Sequence, residues 1–296
     1  MTKKQKKMLI RIIITFILFT GLMITDHMGF MENIENPWIL FIIYLIPYLI
    51  IGENPFAIFI SIVAAFGLHE LIKVRETRKK FPTVLKIFAY ILVLALCLTD
   101  FNGIEFQYKV DYRFLSLLVF LFTSPMVFIN DTKKYNLKDA LFLVSLILFI
   151  GLGFKLVVLA RNFDINYIIY LFLITIITDT FALISGMLVG KHKLCPKISP
   201  KKTIEGLIGG VLMGTFVATS FYFTVINSSI SLVFLIFVTA FLCLVGQLGD
   251  LVFSSIKRYY DIKDFSNLIP GHGGILDRFD SLIFVTLAFI MLYGFI

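Results

Sequence analysis

Residues 230–258 read ISLVFLIFVTAFLCLVGQLGDLVFSSIKR, an apolar run that carries Asp250 near its end and is followed by two cations. A helix needs about 20 predominantly apolar residues to cross the hydrocarbon core of a bilayer. Runs of similar character recur along nearly the whole chain, at residues 8–25, 38–51, 55–72, 82–99, 114–129, 139–159, 167–189, 206–226, 230–253 and 281–296. This pattern predicts an all-α polytopic integral membrane protein.

The composition of the whole chain also indicates a membrane protein. Of the 296 residues, 59% are hydrophobic and only 16% are charged, and the mean hydropathy is +0.94, which excludes an ordinary soluble globular protein. The net charge is +8, but the basic residues lie in short clusters at the ends of the runs, where orientation in the membrane requires them. Anionic lipid or phosphate is therefore the expected partner, and nucleic acid is not.

The positive-inside rule reduces the ten runs to about nine crossings. If KKQKK near the amino terminus is cytosolic, the basic stretch KVRETRKK at 73–80 returns to the cytosol, and only one net crossing fits between them. The run 38–51 contains Pro47, and we interpret it as re-entrant or interfacial. The amino terminus and the polar loops 191–206 and 254–280 are then all cytosolic.

The polar loops divide the chain into two regions. Residues 1–160 are predicted to form an N-terminal membrane region with helices 1–5. Residues 161–296 form a C-terminal membrane region that carries both loops, and we expect the functional site there because two loops on opposite faces could not build one site.

Aspartates within or beside the apolar runs are candidate metal ligands. Asp179 lies inside the run 167–189, where a charge is costly unless it faces a cavity, a partner or a cation; the alternative is a structural pair with a lysine. Asp277 and Asp280 are three residues apart and share a helix face. Together with Asp250 they predict a magnesium site, because magnesium prefers oxygen ligands. The alternative is that Asp277 caps a helix and Asp280 is merely polar.

Two further stretches are typical of phosphate binding. KISPKKT at 197–203 places lysines and hydroxyl groups just before a helix that is predicted to begin near Glu205, although a basic loop that only sets orientation is the alternative. GHGG at 271–274 contains glycines that let backbone amides approach a phosphate, with His272 as a further donor; the alternative is a simple turn.

Taken together, residues 254–280, S-x-I-K-R-x4-K-D-x-S-x2-I-P-G-H-G-G-I-x-D-R-F-D, resemble the signature of the phosphatidate cytidylyltransferase (CDP-diglyceride synthase) family. Residues 179–206, D-x2-A-x3-G-x3-G-K-H-K-L-x-P-K-I-S-P-K-K-T-x-E-G, resemble its second block. The sequence departs from the family pattern at Leu183, where an aromatic residue is expected, and at Phe253, where many members carry glutamate.

The resemblance implies that CTP and phosphatidate are converted to CDP-diacylglycerol and pyrophosphate with magnesium, at the cytoplasmic membrane of a bacterium. A second cation and a homodimer are left open. The implied metal ligands are Asp250, Asp277 and Asp280, and the cations that would neutralise phosphates are Lys257, Arg258, Lys263 and Arg278. The residues that would hold the triphosphate or the lipid head group are Ser199, Lys201, Lys202 and Thr203. Asp179 would complete the cation site and His272 would assist departure of pyrophosphate, and the remaining candidates in the two blocks are Glu205, Asp264, Gly273 and Gly274.

Three other functions fit parts of the sequence. A CTP-dependent lipid or polyprenol kinase would use the same nucleotide but transfer its γ-phosphate to an alcohol. A transporter would use Asp179 and the broken run 38–51 as its pathway. A non-catalytic protein that binds anionic lipid would need the basic clusters but neither magnesium nor the aspartate spacing.

Overall fold

The computed structural model describes residues 55–98, 112–129, 135–268 and 273–293. The predicted first helix, the segment 38–51 and His272 lie outside these residues. The chain divides into two compact units, residues 1–63 and 64–296. Of the first unit the structure describes residues 55–63, which form the beginning of a helix. The predicted functional boundary at residue 160 stays a prediction.

The described residues form ten α-helices and one β-hairpin. The helices are α1 (Pro55–Glu76), α2 (Thr83–Leu98), α3 (Tyr112–Thr123), α4 (Pro125–Phe128), α5 (Leu137–Leu146), α6 (Gly153–Phe163), α7 (Ile165–Leu188), α8 (Ile204–Phe221), α9 (Leu232–Tyr259) and α10 (Leu276–Leu292). A π-helical segment, Ile147–Leu152, joins α5 to α6, and a second one, Tyr222–Ile226, follows α8. The strands of the hairpin are β1 (Lys193–Cys195) and β2 (Ser199–Thr203).

Five stretches within the described part of the chain are helical, long and apolar enough to cross a membrane. They are Phe56–Glu76, Leu137–Phe163, Ile165–Leu188, Ile204–Ile226 and Leu232–Tyr259, and the shorter helix α2 is also apolar. This confirms the predicted class of a helical membrane protein, whereas the number of nine crossings stays a prediction. The antiparallel hairpin within the loop 191–206 is an addition to the predicted all-α fold.

Helices α7 and α8 make the most extensive helix contact of the second unit, followed by α9 and α10. The backbones of α7 and α8 come close at the glycines of α8, which recur every four residues at Gly206, Gly210 and Gly214; small residues at this spacing favour close helix packing. A Cβ atom on Gly210 would lie 2.5 Å from the carbonyl oxygen of Thr178 and 2.8 Å from the Cβ of Ala182. A larger residue at Gly210 would therefore force the two helices apart.

The two polar loops lie at the same end of the helical bundle. The hairpin connects the end of α7 to the beginning of α8, where the Thr203 hydroxyl accepts the N–H of Gly206 and caps the helix. From the end of α9, the Nε atom of Arg258 donates to the carbonyl oxygen of Ile198 at 3.1 Å. The structure thus brings together the loops that the sequence assigns to one compartment.

Candidate active site

Polar side chains from α7, β2 and α9 form a continuous hydrogen-bonded network at this end of the bundle. The Lys202 ammonium lies 2.6 Å from Oδ2 of Asp250 and donates to Oε1 of Gln247 at 2.9 Å. Gln247 in turn donates from Nε2 to Oδ1 of Asp179 at 2.6 Å. The predicted lysine partner of Asp179 is thus reached through an amide that sequence reasoning did not single out.

Asp280 on α10 completes this group, which we call the carboxylate cluster: Asp179, Lys202, Gln247, Asp250 and Asp280. Asp280 is buried, its Oδ1 atom accepts the N–H of Ser281 at 2.7 Å, and it lies within electrostatic range of Asp250 and Asp179. Three carboxylates thus share a region with one directly bonded lysine. The excess of negative charge favours a cation.

The donor set of the cluster fits a magnesium ion that arrives with a nucleotide. Across the described ranges, no three side chains of His, Cys, Asp or Glu converge closely enough to hold a metal by themselves. Magnesium is commonly held by one or two carboxylates together with substrate phosphates, and not by an all-protein cage. Asp250 and Asp280 satisfy this requirement.

The third predicted metal ligand, Asp277, is committed to internal contacts. Its Oδ1 atom lies 2.7 Å from the ammonium of Lys257, and its Oδ2 atom accepts the N–H groups of Phe265 and Gly274 at 2.9 and 2.8 Å. The capping alternative therefore describes Asp277 better than metal ligation does. The predicted ligand set of Asp250, Asp277 and Asp280 stays a prediction, but the contacts of Asp277 join the end of α9 and the segment before α10.

Glu70 on α1 is a buried, strongly hydrogen-bonded carboxylate that sequence reasoning missed. It is only 2% exposed, and it accepts the hydroxyl of Ser266 at 2.6 Å and the N–H groups of Ile275 and Leu276 at 2.8 and 2.9 Å. It therefore caps the amino terminus of α10 from a distant helix. An ionisable residue inside the apolar run 55–72 was the available signal, by the reasoning that identified Asp179.

These carboxylates also occupy the turn that was predicted to bind phosphate. The N–H of Gly274 is bonded to Asp277, and a Cβ atom on Gly274 would collide with Oε1 of Glu70. Gly273 has a φ of +86°, which favours glycine. In the described part of this turn the amide of Gly274 is bonded to Asp277, and those of Ile275 and Leu276 are bonded to Glu70; phosphate binding by the turn stays a prediction.

The hairpin divides its predicted residues between structural and exposed positions. Thr203 is buried as the cap of α8, and Glu205 accepts the backbone N–H and the ring Nδ1 of His192, so both hold the hairpin in place. Lys201 is exposed and Ser199 is half-buried on β2. Of the predicted residues of the hairpin, Lys201 and Lys202 thus remain the candidates for binding a phosphate.

The predicted cations after α9 occupy different environments. Lys257 is buried and paired with Asp277, whereas Arg258 donates to the carbonyl oxygens of Ile198 and Ile262. Arg278 lies exposed in the first turn of α10. Lys263 and Asp264 are exposed and line a cavity beside α1. The assignment of each cation to a particular phosphate stays a prediction.

The two departures from the family pattern have different surroundings. Phe253 is fully buried and packs against the rings of Phe149, Phe265 and Phe284, with ring centroids 5.5–6.2 Å apart. The apolar residue thus belongs to an aromatic cluster beneath the segment that precedes α10. Leu183 is exposed on α7.

Comparison with known proteins supports the resemblance. The model of the cytidylyltransferase family matches residues 35–296. A phosphatidate cytidylyltransferase of Staphylococcus haemolyticus is 36% identical over 83% of this chain and 93% of its own length. Proteins of the same name from Staphylococcus aureus and Bacillus subtilis are 37% and 35% identical, over 83% and 80% of this chain and 93% and 87% of their own lengths. Since this similarity extends over most of the chain and includes both motif blocks, the chain belongs to the cytidylyltransferase family.

Proposed function

We propose that this protein is a phosphatidate cytidylyltransferase, which makes CDP-diacylglycerol and pyrophosphate from CTP and phosphatidate. The observation that carries the proposal is the carboxylate cluster, in which Asp250 and Asp280 lie beside the basic hairpin of a cytidylyltransferase-family chain. Nucleotidyl transfer needs positioning and charge neutralisation more than it needs covalent participation by the protein, and these residues supply both.

The reaction forms one P–O bond and breaks another. An oxygen of the phosphatidate phosphate attacks the α-phosphorus of CTP, and the bond from that phosphorus to the oxygen bridging to the β-phosphate breaks. Pyrophosphate leaves with the electron pair of the broken bond. Because the attacking phosphate is already ionised, the reaction requires no strong general base.

Residues of the cluster and the hairpin would hold the reactants. Asp250 and Asp280 would bind magnesium, which when bound neutralises phosphate charge on the nucleotide. Lys202 lies against Asp250, so its ammonium can contact a phosphate at that position, and Lys201 and Arg258 extend the positive surface towards the solvent. Gln247 orients both Lys202 and Asp179, and this gives Asp179 a positioning role.

The position of the label in the product tests this proposal. We expect purified protein in phosphatidate micelles with magnesium and CTP to incorporate label from the α-phosphate into extracted lipid, and none without a divalent cation. The rival lipid kinase would instead incorporate γ-label. An absence of both labels from lipid under every condition would contradict an enzyme of either kind.

The proposal includes nine membrane crossings with the hairpin on the cytosolic face of a bacterial cell membrane. Single cysteines tested in a background without the three native cysteines distinguish the two faces. We expect an impermeant thiol reagent to label Ser229→Cys, in the turn before α9, in intact cells, and Lys201→Cys only after the cells are opened. Labelling of Lys201→Cys in intact cells would contradict this orientation.

A further inference from the structure

A cavity that does not include the carboxylate cluster lies between α1 and the segment that follows α9. Its volume is about 740 Å³. It is lined by Phe66, Glu70 and Lys73 from α1 and by Lys263, Asp264 and Leu268 from the opposite wall. We call it the lateral cavity. Its wall is held in place because Phe265 and Ser266, which also line it, are bonded to Asp277 and Glu70.

Along α1 the lining of the lateral cavity changes from an apolar residue, Phe66, to a cationic one, Lys73. Phe66 and Leu268 expose 44% and 48% of their surfaces. Lys73 lies seven residues after Phe66 on a helix that can span a membrane, which places it about 10 Å further along the axis. This change of polarity over two helical turns matches a lipid whose head group sits at the interface and whose chains enter the hydrocarbon.

The two lysines of the cavity match a single phosphate. Within the described residues neither Lys73 nor Lys263 forms an ion pair, whereas both oxygens of Glu70 are bonded to donors at or before α10. The lining thus carries two lysines and two carboxylates, and because both oxygens of Glu70 are already bonded to donors of the protein, the lysines are the groups available to an anion. Two lysines suit a phosphate monoester better than a triphosphate, which needs the larger cationic and metal-binding surface of the hairpin and the cluster.

The lateral cavity adjoins the carboxylate cluster through the first turn of α10. Asp277 accepts the N–H of Phe265, a residue of the cavity wall, and Asp280 belongs to the cluster. Three residues of helix correspond to an axial rise of about 5 Å. A ligand in the cavity and a nucleotide at the cluster would therefore be neighbours.

From these observations we infer that the lateral cavity binds the phosphate monoester head group of the lipid substrate, with its acyl chains leaving past Phe66 and Leu268. Lys73 and Lys263 bind the phosphate, and the nucleotide occupies the carboxylate cluster. The inference rests on the proposed function for the identity of the lipid, but binding in the cavity is measurable without turnover.

Equilibrium binding of dihexanoyl phosphatidate to the full-length protein, without CTP, tests the cavity directly. We expect the double variant Lys73→Gln, Lys263→Gln to bind roughly tenfold or more weakly, because each lysine contributes a charge-assisted hydrogen bond. Lys138→Gln, an exposed lysine at the beginning of α5, is the matched control and should bind like the wild type. Equal binding by the double variant would overturn the proposal.

Two further measurements separate the sources of the phosphate and the two proposals. Glycerol 3-phosphate should bind much more weakly than dihexanoyl phosphatidate; equal affinity would make the cavity a site for free phosphate and overturn the lipid assignment. In the turnover assay the double variant should raise the KM for phosphatidate roughly tenfold and leave the KM for CTP within about twofold. A raised KM for CTP with an unchanged KM for phosphatidate would overturn the assignment of the cavity and leave the proposed function intact. Lysine-dependent binding without any turnover would support the cavity and contradict the proposed function.

Discussion

Asp280→Asn is expected to lower the rate of CDP-diacylglycerol formation by about 10²–10³-fold, the range seen when one preorganised electrostatic group is removed from an active site. The carboxylate lies on α10 within electrostatic range of Asp250 and Asp179. Asparagine keeps the oxygen that accepts the N–H of Ser281, so the substitution removes the charge and leaves this hydrogen bond in place. Transfer of α-label from CTP into lipid, measured at saturating magnesium, gives the rate.

Asp164→Asn provides the matched control for this experiment. Asp164 caps α7 through the N–H of Asn166 at 2.7 Å, and asparagine is an equally good cap, so the same change of charge occurs outside the site. We expect its rate to equal that of the wild type. A rate for Asp280→Asn within about threefold of the control would remove Asp280 from the catalytic machinery.

Glu70→Ala is expected to lower the free energy of unfolding by roughly 3 kcal/mol and to reduce activity with it. The substitution leaves the Ser266 hydroxyl and the amides of Ile275 and Leu276 without their acceptor in a buried position. Because the uncapped helix carries both Asp277 and Asp280, a shift of its first turn displaces a residue of the carboxylate cluster. Thermal unfolding in detergent, followed by circular dichroism, measures the effect on stability.

Glu76→Gln, six residues further along α1, is the control for Glu70. Glu76 is partly exposed and accepts the ammonium of Lys86 at 2.9 Å, and ion pairs of this kind contribute about 1 kcal/mol or less. Its unfolding temperature should stay near that of the wild type. An equally small effect of Glu70→Ala would mean that water replaces the carboxylate at the helix terminus, which would contradict the anchoring role of Glu70.

The helical membrane class and the central aspartates could be predicted from the sequence because both follow from local patterns. Apolar runs of membrane-spanning length identify the helices, and the cost of burying a charge singles out Asp179. Lys202 belongs to a basic loop that the sequence favours as an anion site, and in the structure its ammonium is paired with Asp250. The glycines that recur every four residues in α8 also favour its close contact with α7.

The roles of Asp277, Thr203 and Glu70 depend on tertiary partners, and spacing does not reveal such partners. Asp277 and Asp280 share a sequence spacing that suits a paired site, yet one binds the segment before its own helix and the other joins the cluster. Thr203 resembles a phosphate ligand in the sequence but caps α8. Glu70 has no nearby sequence signal that names α10 as its partner.

The link from Glu70 to α10 also bears on how the chain is made. The carboxylate oxygens of Glu70 accept N–H groups that lie 205 and 206 residues later in the sequence. The helix α1 therefore leaves the ribosome long before α10 is made. Throughout synthesis the carboxylate must be hydrated or otherwise accommodated, because a bare charge in the hydrocarbon is costly. Such a distant contact carries a large entropic cost of chain closure and forms late. The bundle therefore acquires this contact only when α10 is made, and until then the carboxylate that orders the mature site is a charge without its partners.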